Sequence, residues 1–185
     1  MGNGEEKMGD AGVNIVLIGL RGSGKSTLGA RLAELLGRGF VDLDDSTAGV
    51  LGCDRAGEAI ETHGMDAFRA AERDALSQEL RTPSRVIALG GGTPTALGCA
   101  ELLSGDSCRV VYLKAQPGTL RNRLETADNT DRPSLTGGDV LDEIEVVYKQ
   151  RDPLYMEIAE SVVHTDGVGE DSVLAALVAL VRAGV

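Results

Sequence analysis

Val13-Asn14-Ile15-Val16-Leu17-Ile18 runs directly into Gly19-Leu20-Arg21-Gly22-Ser23-Gly24-Lys25-Ser26, and this junction decides the fold. The first segment is uncharged and rich in β-branched residues, which predicts a buried strand. The second matches GxxxxGK[ST]. In that pattern small residues let successive backbone N–H groups converge on a phosphate chain, the lysine reaches the β/γ-phosphates, and the hydroxyl meets Mg²⁺. Leu28, Leu32, Leu35 and Leu36 then recur at helical spacing until Gly37, so the motif opens a helix whose N-terminus favours anions. A strand before and a helix after make nucleoside triphosphate binding the reading, against a plain glycine-rich turn carrying a surface lysine.

Working outward, short β-rich runs at 40–43, 85–89, 109–113 and 161–165 alternate with helical patterns. Helices are predicted over 54–63, 65–81, 95–103, 117–125, 140–159 (bent or interrupted at Pro153) and 171–183. Strands separated by helices, without a hairpin signal, predict an α/β domain with a parallel sheet covered on both faces. Ligands bind beyond the carboxyl ends of such strands, where Gly19, Asp42, Asp44 and the Gly90-Gly91-Gly92 triplet fall. Residues 1–12 are expected to form a disordered tail, residues 13–185 a single domain, and the breaker-rich 126–138 a mobile lid.

Composition narrows the function. A chain of 185 residues, 42% hydrophobic, suits one core. Its 25 glycines exceed average usage of about 7% without any collagen period, so they serve turns and close backbone approach. Eighteen basic against 29 acidic residues leave a net charge of −11, which argues against nucleic acid or an anionic membrane as partner. Fourteen of the bases are arginine and four lysine, so planar oxyanions remain suitable ligands locally. Cys53, Cys99 and Cys108 lack CxxC spacing, and neither a disulfide framework nor a zinc site fits. There is no signal-peptide pattern and no apolar run near the ~20 residues of a membrane span. A cytoplasmic protein, monomeric by default, is expected.

Several residues carry two readings. Strand alternation would place Asp42 and Asp44 on one side, one to hold Mg²⁺ through water and one to orient an acceptor hydroxyl; the plainer reading is a turn with helix-capping aspartates. Arg69 and Glu72, three apart on a helix, are either a surface ion pair or a guanidinium aimed into the site by its carboxylate partner. Gly90, Gly91 and Gly92 are either a loose turn or a place of close ligand approach. Arg132, in the lid, and Arg151 remain plain solvated arginines on sequence grounds. His63 and His164 have no partner pattern and read as structural.

Taken together, GLRGSGKST (19–27), FVDLD (40–44), FRAAE (68–72), ALGGGT (88–93), RPSL (132–135) and RDPLY (151–155) resemble the shikimate kinase family of nucleoside-monophosphate-kinase-like P-loop proteins. The resemblance implies a five-stranded sheet in the order 2-3-1-4-5, a helical acceptor-binding segment and a lid. It also implies ATP-dependent phosphorylation of the 3-hydroxyl of shikimate, a step of chorismate and aromatic amino acid biosynthesis. By position, Gly22, Ser23, Gly24, Lys25, Ser26 and Thr27 would hold ATP phosphates, Ser26 would ligate Mg²⁺ and Asp42 would reach it through water. Asp44 would bind the substrate hydroxyls and accept the reacting proton. Arg69 and Arg151 would clamp the carboxylate, Gly90, Gly91 and Gly92 would contact the ring, and Arg132 would swing onto the ATP phosphates. The chain departs from the family at Met65, at Glu125 (where an adenine-stacking arginine is usual, with Arg121 or Arg123 as substitutes) and at Gly167 to Glu170. Asp128 and Asp131 load the lid with acid. A gluconate kinase-like enzyme or a non-catalytic nucleotide-binding regulator are the alternatives; Arg69, Arg151 and the retained Lys25, Ser26, Asp42, Asp44 and Arg132 weigh against both.

Overall fold

The computed structural model describes residues 12–126 and 140–184. The expected tail over 1–12 and lid over 126–138 fall almost wholly outside them, as do Arg132, Asp128 and Asp131.

Strand β1 (Asn14–Ile18) is buried along its whole length, which only a central strand permits. It lies between β3 (Arg85–Ala88) and β4 (Cys108–Lys114), with β2 (Gly39–Asp42) and β5 (Ser161–His164) at the edges, giving the order β2-β3-β1-β4-β5. All pairs are parallel. Alternation splits the core in two. Ile15 and Leu17 pack with Leu28 and Leu32 of α1 (Lys25–Leu36) and Leu177 of α8 (Glu170–Arg182). Val16 and Ile18 face the opposite layer. There they meet Leu76 of α4 (Met65–Leu80), Leu103 of α5 (Cys99–Leu103), Leu120 of α6 (Pro117–Thr126) and Tyr155 of α7 (Val140–Ile158). Each fully buried leucine of this kind contributes about 1.5–3 kcal/mol. A satellite core of Ala48 from α2 (Leu43–Val50), Ala59 from α3 (Ala56–His63) and Phe68 from α4 builds one wall of the site.

The elements differ from expectation at four places. Strand β2 stops at Asp42 and α2 begins at Leu43, because the Asp42 side chain accepts from the Asp44 N–H and caps the helix. The helix expected over 95–103 divides into a 3₁₀ turn (Thr93–Thr95) and α5, since Gly98 adopts a left-handed φ of 80°. Pro153 does not interrupt α7. It does remove the N–H that would bond the Lys149 carbonyl, leaving that turn dependent on tertiary contacts. Arg55 caps α3, which starts at Ala56 rather than at 54. Among the described residues no helix is long and apolar enough to cross a membrane, and all three cysteines are free. Burial pushes the Cys99 and Cys108 thiols up to about 11, so both are inert at neutral pH.

One polar residue interrupts this apolar frame. Asn14, 1% exposed, donates to the Leu80 carbonyl at 3.1 Å and accepts from the Arg85 N–H at 2.8 Å, tying β1 to the end of α4 and the start of β3. Asn14→Leu keeps the branched outline but orphans both groups, at about 1–3 kcal/mol each. Urea unfolding should therefore show a loss of about 2–6 kcal/mol; an unchanged midpoint would mean that the two bonds add nothing.

Candidate active site

The end of β1 leaves no room for a side chain. A Cβ on Gly19 would lie 2.7 Å from both the Leu113 carbonyl and Ser23 Oγ. Gly22 and Gly24 take φ values of 81° and 95°, a region that L-residues avoid. The chain therefore curls tightly out of the sheet into α1. Lys25 lies over this curl, its Nζ donating to the Gly19 and Leu20 carbonyls at 2.9 and 3.0 Å. Ser26 and Thr27 are exposed on the first turn of α1, whereas Ser23 turns its hydroxyl into the protein, buried and without a hydrogen-bond partner among the described residues. The sequence placed Ser23 among the phosphate contacts, and its side chain is not at the mouth of the loop.

Asp42 and Asp44 do not share a strand face. Asp42 ends β2, and its carboxylate is divided: Oδ2 accepts from Ser26 Oγ at 2.6 Å and Oδ1 from the Asp44 N–H at 3.1 Å. It thus caps a helix and faces the phosphate loop at once. Asp44 lies in the first turn of α2, 7% exposed, with Oδ1 against the backbone of Gly90. Helix geometry, not strand alternation, separates the two carboxylates.

Arg69 and Glu72 are no surface pair. The Glu72 side chain is 1% exposed, paired with Arg69 and bonded by Thr93 Oγ1 at 2.6 Å. Burial raises the proton affinity of Glu72 above the usual carboxylate range, although Arg69 and Thr93 pull it down. This buried anchor directs the guanidinium over the glycine triplet. A Cβ on Gly92 would run into the Arg69 guanidinium, and one on Gly90 into Asp44 Oδ1. At these two positions any larger residue would displace a side chain of the site. Gly91 contributes its carbonyl, which accepts from Arg151 Nη1 at 2.7 Å and from Tyr155 Oη. Burial pushes the Tyr155 phenol up to about 12, so it remains a donor at neutral pH.

These groups converge. Asp44, Arg69, Arg151 and the glycine triplet line one cavity of about 120 Å³ beside Leu20 and Arg21 of the phosphate loop, with Ile60, Phe68 and Val147 on its apolar side. Arg21 and Glu143 also reach it. Sequence reasoning passed over both: Arg21 occupies a variable position of the loop motif, and Glu143 reads as one more acidic residue of a helix. Arg123 bonds the Gly22 carbonyl at 3.3 Å and the Thr165 hydroxyl and carbonyl at 3.0 and 2.6 Å, bracing the phosphate loop against the end of β5. His63 and His164 are exposed and lie outside the cavity lining.

For a metal, the donor set fits magnesium. A hydroxyl and a carboxylate, both hard oxygen donors, meet at 2.6 Å beside the phosphate loop, and Mg²⁺ uses one or two such groups with waters and substrate phosphates. Among the described residues there is no cluster of three or more His, Cys, Asp or Glu for an all-protein site.

The family model for shikimate kinase matches residues 21–182. Shikimate kinase 2 of Shigella dysenteriae serotype 1 is 40% identical over 159 residues, covering 85% of this chain and 88% of the relative. Shikimate kinase 2 of Yersinia pestis (strain Pestoides F) is 38% identical over 152 residues, 80% and 84% of the two chains. The structure of shikimate kinase from Acinetobacter baumannii in complex with shikimate superposes with a TM-score of 0.83 at 31% identity, covering 92% of this chain and 93% of that one. Sequence and fold agree along the whole stretch that builds the cavity, and the chain belongs to the shikimate kinase family.

Proposed function

We propose that the protein transfers the γ-phosphoryl group of ATP to the 3-hydroxyl of shikimate, yielding shikimate 3-phosphate and ADP on the route to chorismate and the aromatic amino acids. The observation that carries this reading is the pairing, in one cavity beside the phosphate loop, of a carboxylate with two guanidinium groups: Asp44 with Arg69 and Arg151. An acceptor with a carboxylate at one end and hydroxyls at the other is neutralised by the arginines while Asp44 takes its hydroxyl. The apolar wall suits the carbocyclic face. That the Acinetobacter relative was solved with shikimate supports the same substrate.

In this reading the acceptor oxygen attacks the γ-phosphorus, the bond to the ADP oxygen breaks, and the hydroxyl proton passes to Asp44. Phosphoryl transfer needs positioning and charge neutralisation above all. Gly22, Gly24, Lys25, Ser26 and Thr27 hold the phosphates, with Ser23 contributing through the loop backbone, and the family resemblance adds Arg132 of the RPSL segment to them. Ser26 would hold Mg²⁺ directly and Asp42 through water; the ion supplies positive charge to the β- and γ-phosphate oxygens. Gly90, Gly91 and Gly92 form the floor beneath the acceptor ring. In the same reading the protein acts as a monomer in the cytoplasm.

Coupled ADP release with ATP and shikimate, with gluconate and nucleoside monophosphates as controls, tests the assignment; ATP binding without shikimate turnover would overturn it. Asp44→Asn should lower kcat by about 10²–10⁴, the range for a lost acid–base group, and near-normal turnover would remove Asp44 from the chemistry. Gly90→Ala tests the seat of Asp44. The added methyl would collide with the Asp44 carboxylate and press on Glu72 Oε1 and Thr93 Oγ1, each 3.0 Å away. In protein shown by thermal unfolding to be folded, kcat should fall by about 10², because a misplacement of about 1 Å suffices. Normal turnover would show that the glycine is not needed for Asp44's position.

A further inference from the structure

Beside Arg151, α7 carries a polar anchor that faces away from the cavity. Asp152 Oδ1 accepts from Tyr112 Oη at 2.9 Å and lies 2.7 Å from Lys114 Nζ, which also donates to Oδ2 at 3.0 Å. Both partners sit at the end of β4, and the pair is largely withdrawn from water, with side chains 14% (Lys114) and 20% (Asp152) exposed. Lys114 Nζ also stands 5.8 Å and 5.9 Å from the ring centroids of Tyr112 and Tyr148. The Tyr112 ring meets that of Tyr155 edge to face at 5.2 Å, and Tyr155 bonds the Gly91 carbonyl that Arg151 also bonds. A continuous chain of contacts therefore runs from β4 to the cavity floor.

The helix needs such an anchor here. Pro153 deprives the Lys149 carbonyl of its helical donor at this turn, and apolar packing alone is non-directional. Consecutive helical residues project about 100° apart, and a roll of about 10° moves an atom on the helix surface, about 5–6 Å from the axis, by about 1 Å. Fixing Asp152 on the sheet thus fixes where Arg151 points. Burial works against the Lys114 ammonium, yet the bond to Asp152 holds it above the usual lysine value, so the ammonium stays charged at neutral pH.

We propose that Asp152, held by Lys114 and Tyr112, is a positioning residue that sets the direction of Arg151 and thereby the affinity for the acceptor's carboxylate. The proposal rests on the carboxylate-clamp reading of Arg151. Steady-state kinetics of the full chain with Asp152→Ala, Arg151→Ala and the double variant test it. Asp152→Ala should raise KM for shikimate about tenfold, a partial misplacement of the guanidinium, with kcat and KM for ATP within about twofold. In the Arg151→Ala background Asp152→Ala should add nothing, as expected for residues acting as one unit. The near-isosteric Asp152→Asn keeps an acceptor for Tyr112 but loses the charge pair, and should raise KM about threefold on the same scale, serving also if the alanine variant folds poorly. A shikimate analogue with a hydroxymethyl group in place of the carboxylate should show no dependence on residue 152. Unchanged KM in Asp152→Ala beside a raised KM in Arg151→Ala overturns the proposal. So do additive losses in the double variant, or a parallel fall in ATP affinity and kcat, which mark a merely structural role. If Arg151→Ala itself leaves the shikimate KM unchanged, the clamp reading fails first and takes this proposal with it.

Discussion

The site depends on the register of a parallel sheet. Leu17 of β1 pairs with Ala88 of β3 and Val111 of β4, and Asp42 of β2 pairs with the same Ala88. β1, β2 and β3 therefore finish within one residue of the same level, with β4 running two residues past the end of β1, and the chain leaves all four at the same edge. Gly19 and the glycine triplet follow β1 and β3, while Asp42 and Lys114 are the last residues of β2 and β4. The chemistry comes from residues far apart in sequence because parallel pairing brings only carboxyl ends to that edge. β1 carries the arrangement: burial along its whole length makes the middle position the one place it fits, and the phosphate loop is thereby placed at the centre of the edge.

Charge around the site departs from the composition. The chain carries −11 overall, yet the cavity lining sets Arg21, Arg69 and Arg151 against Asp44, Glu72 and Glu143, with Lys25 on the adjoining loop. The acidic surplus lies elsewhere, as where Glu170 and Asp171 of α8 share Arg31 of α1. Two of the carboxylates at the site are committed to protein groups: Asp42 to Ser26 and a helix cap, Glu72 to Arg69 and Thr93. Bound in this way they orient the positive groups more than they cancel them.

Much of this was legible in the linear sequence where the signal is local. The loop motif, the leucine spacing of α1 and the five β-rich runs are short-range patterns, and the sheet order followed from the family resemblance. Failures came where tertiary contacts decide. Asp42 through Asp45 extends a strand by pattern, but the cap at Asp42 starts α2, a helix held by Ala48 against Ala59 and Phe68 rather than by propensity. Arg69 and Glu72 look like any exposed i,i+3 pair, since only the fold shows that Glu72 is buried. The triplet's role was legible in part: close approach was expected there, while the crossing of Gly90 and Gly92 by Asp44 and Arg69 shows only in the fold. Asp152 and Lys114 are 38 residues apart, and no local pattern joins them.

The Gly91 carbonyl takes two donors, from Arg151 and from Tyr155. A carbonyl oxygen has two lone pairs, so this one is saturated and its peptide plane is held from both sides. Three consecutive glycines are the most flexible backbone a protein can use, yet here the middle one is pinned by groups from another helix. The floor of the cavity is thus made from residues chosen for their small size and stiffened by bonds that do not need a side chain. The entropy of ordering that floor falls on folding rather than on ligand capture, and the acceptor meets a surface already in place.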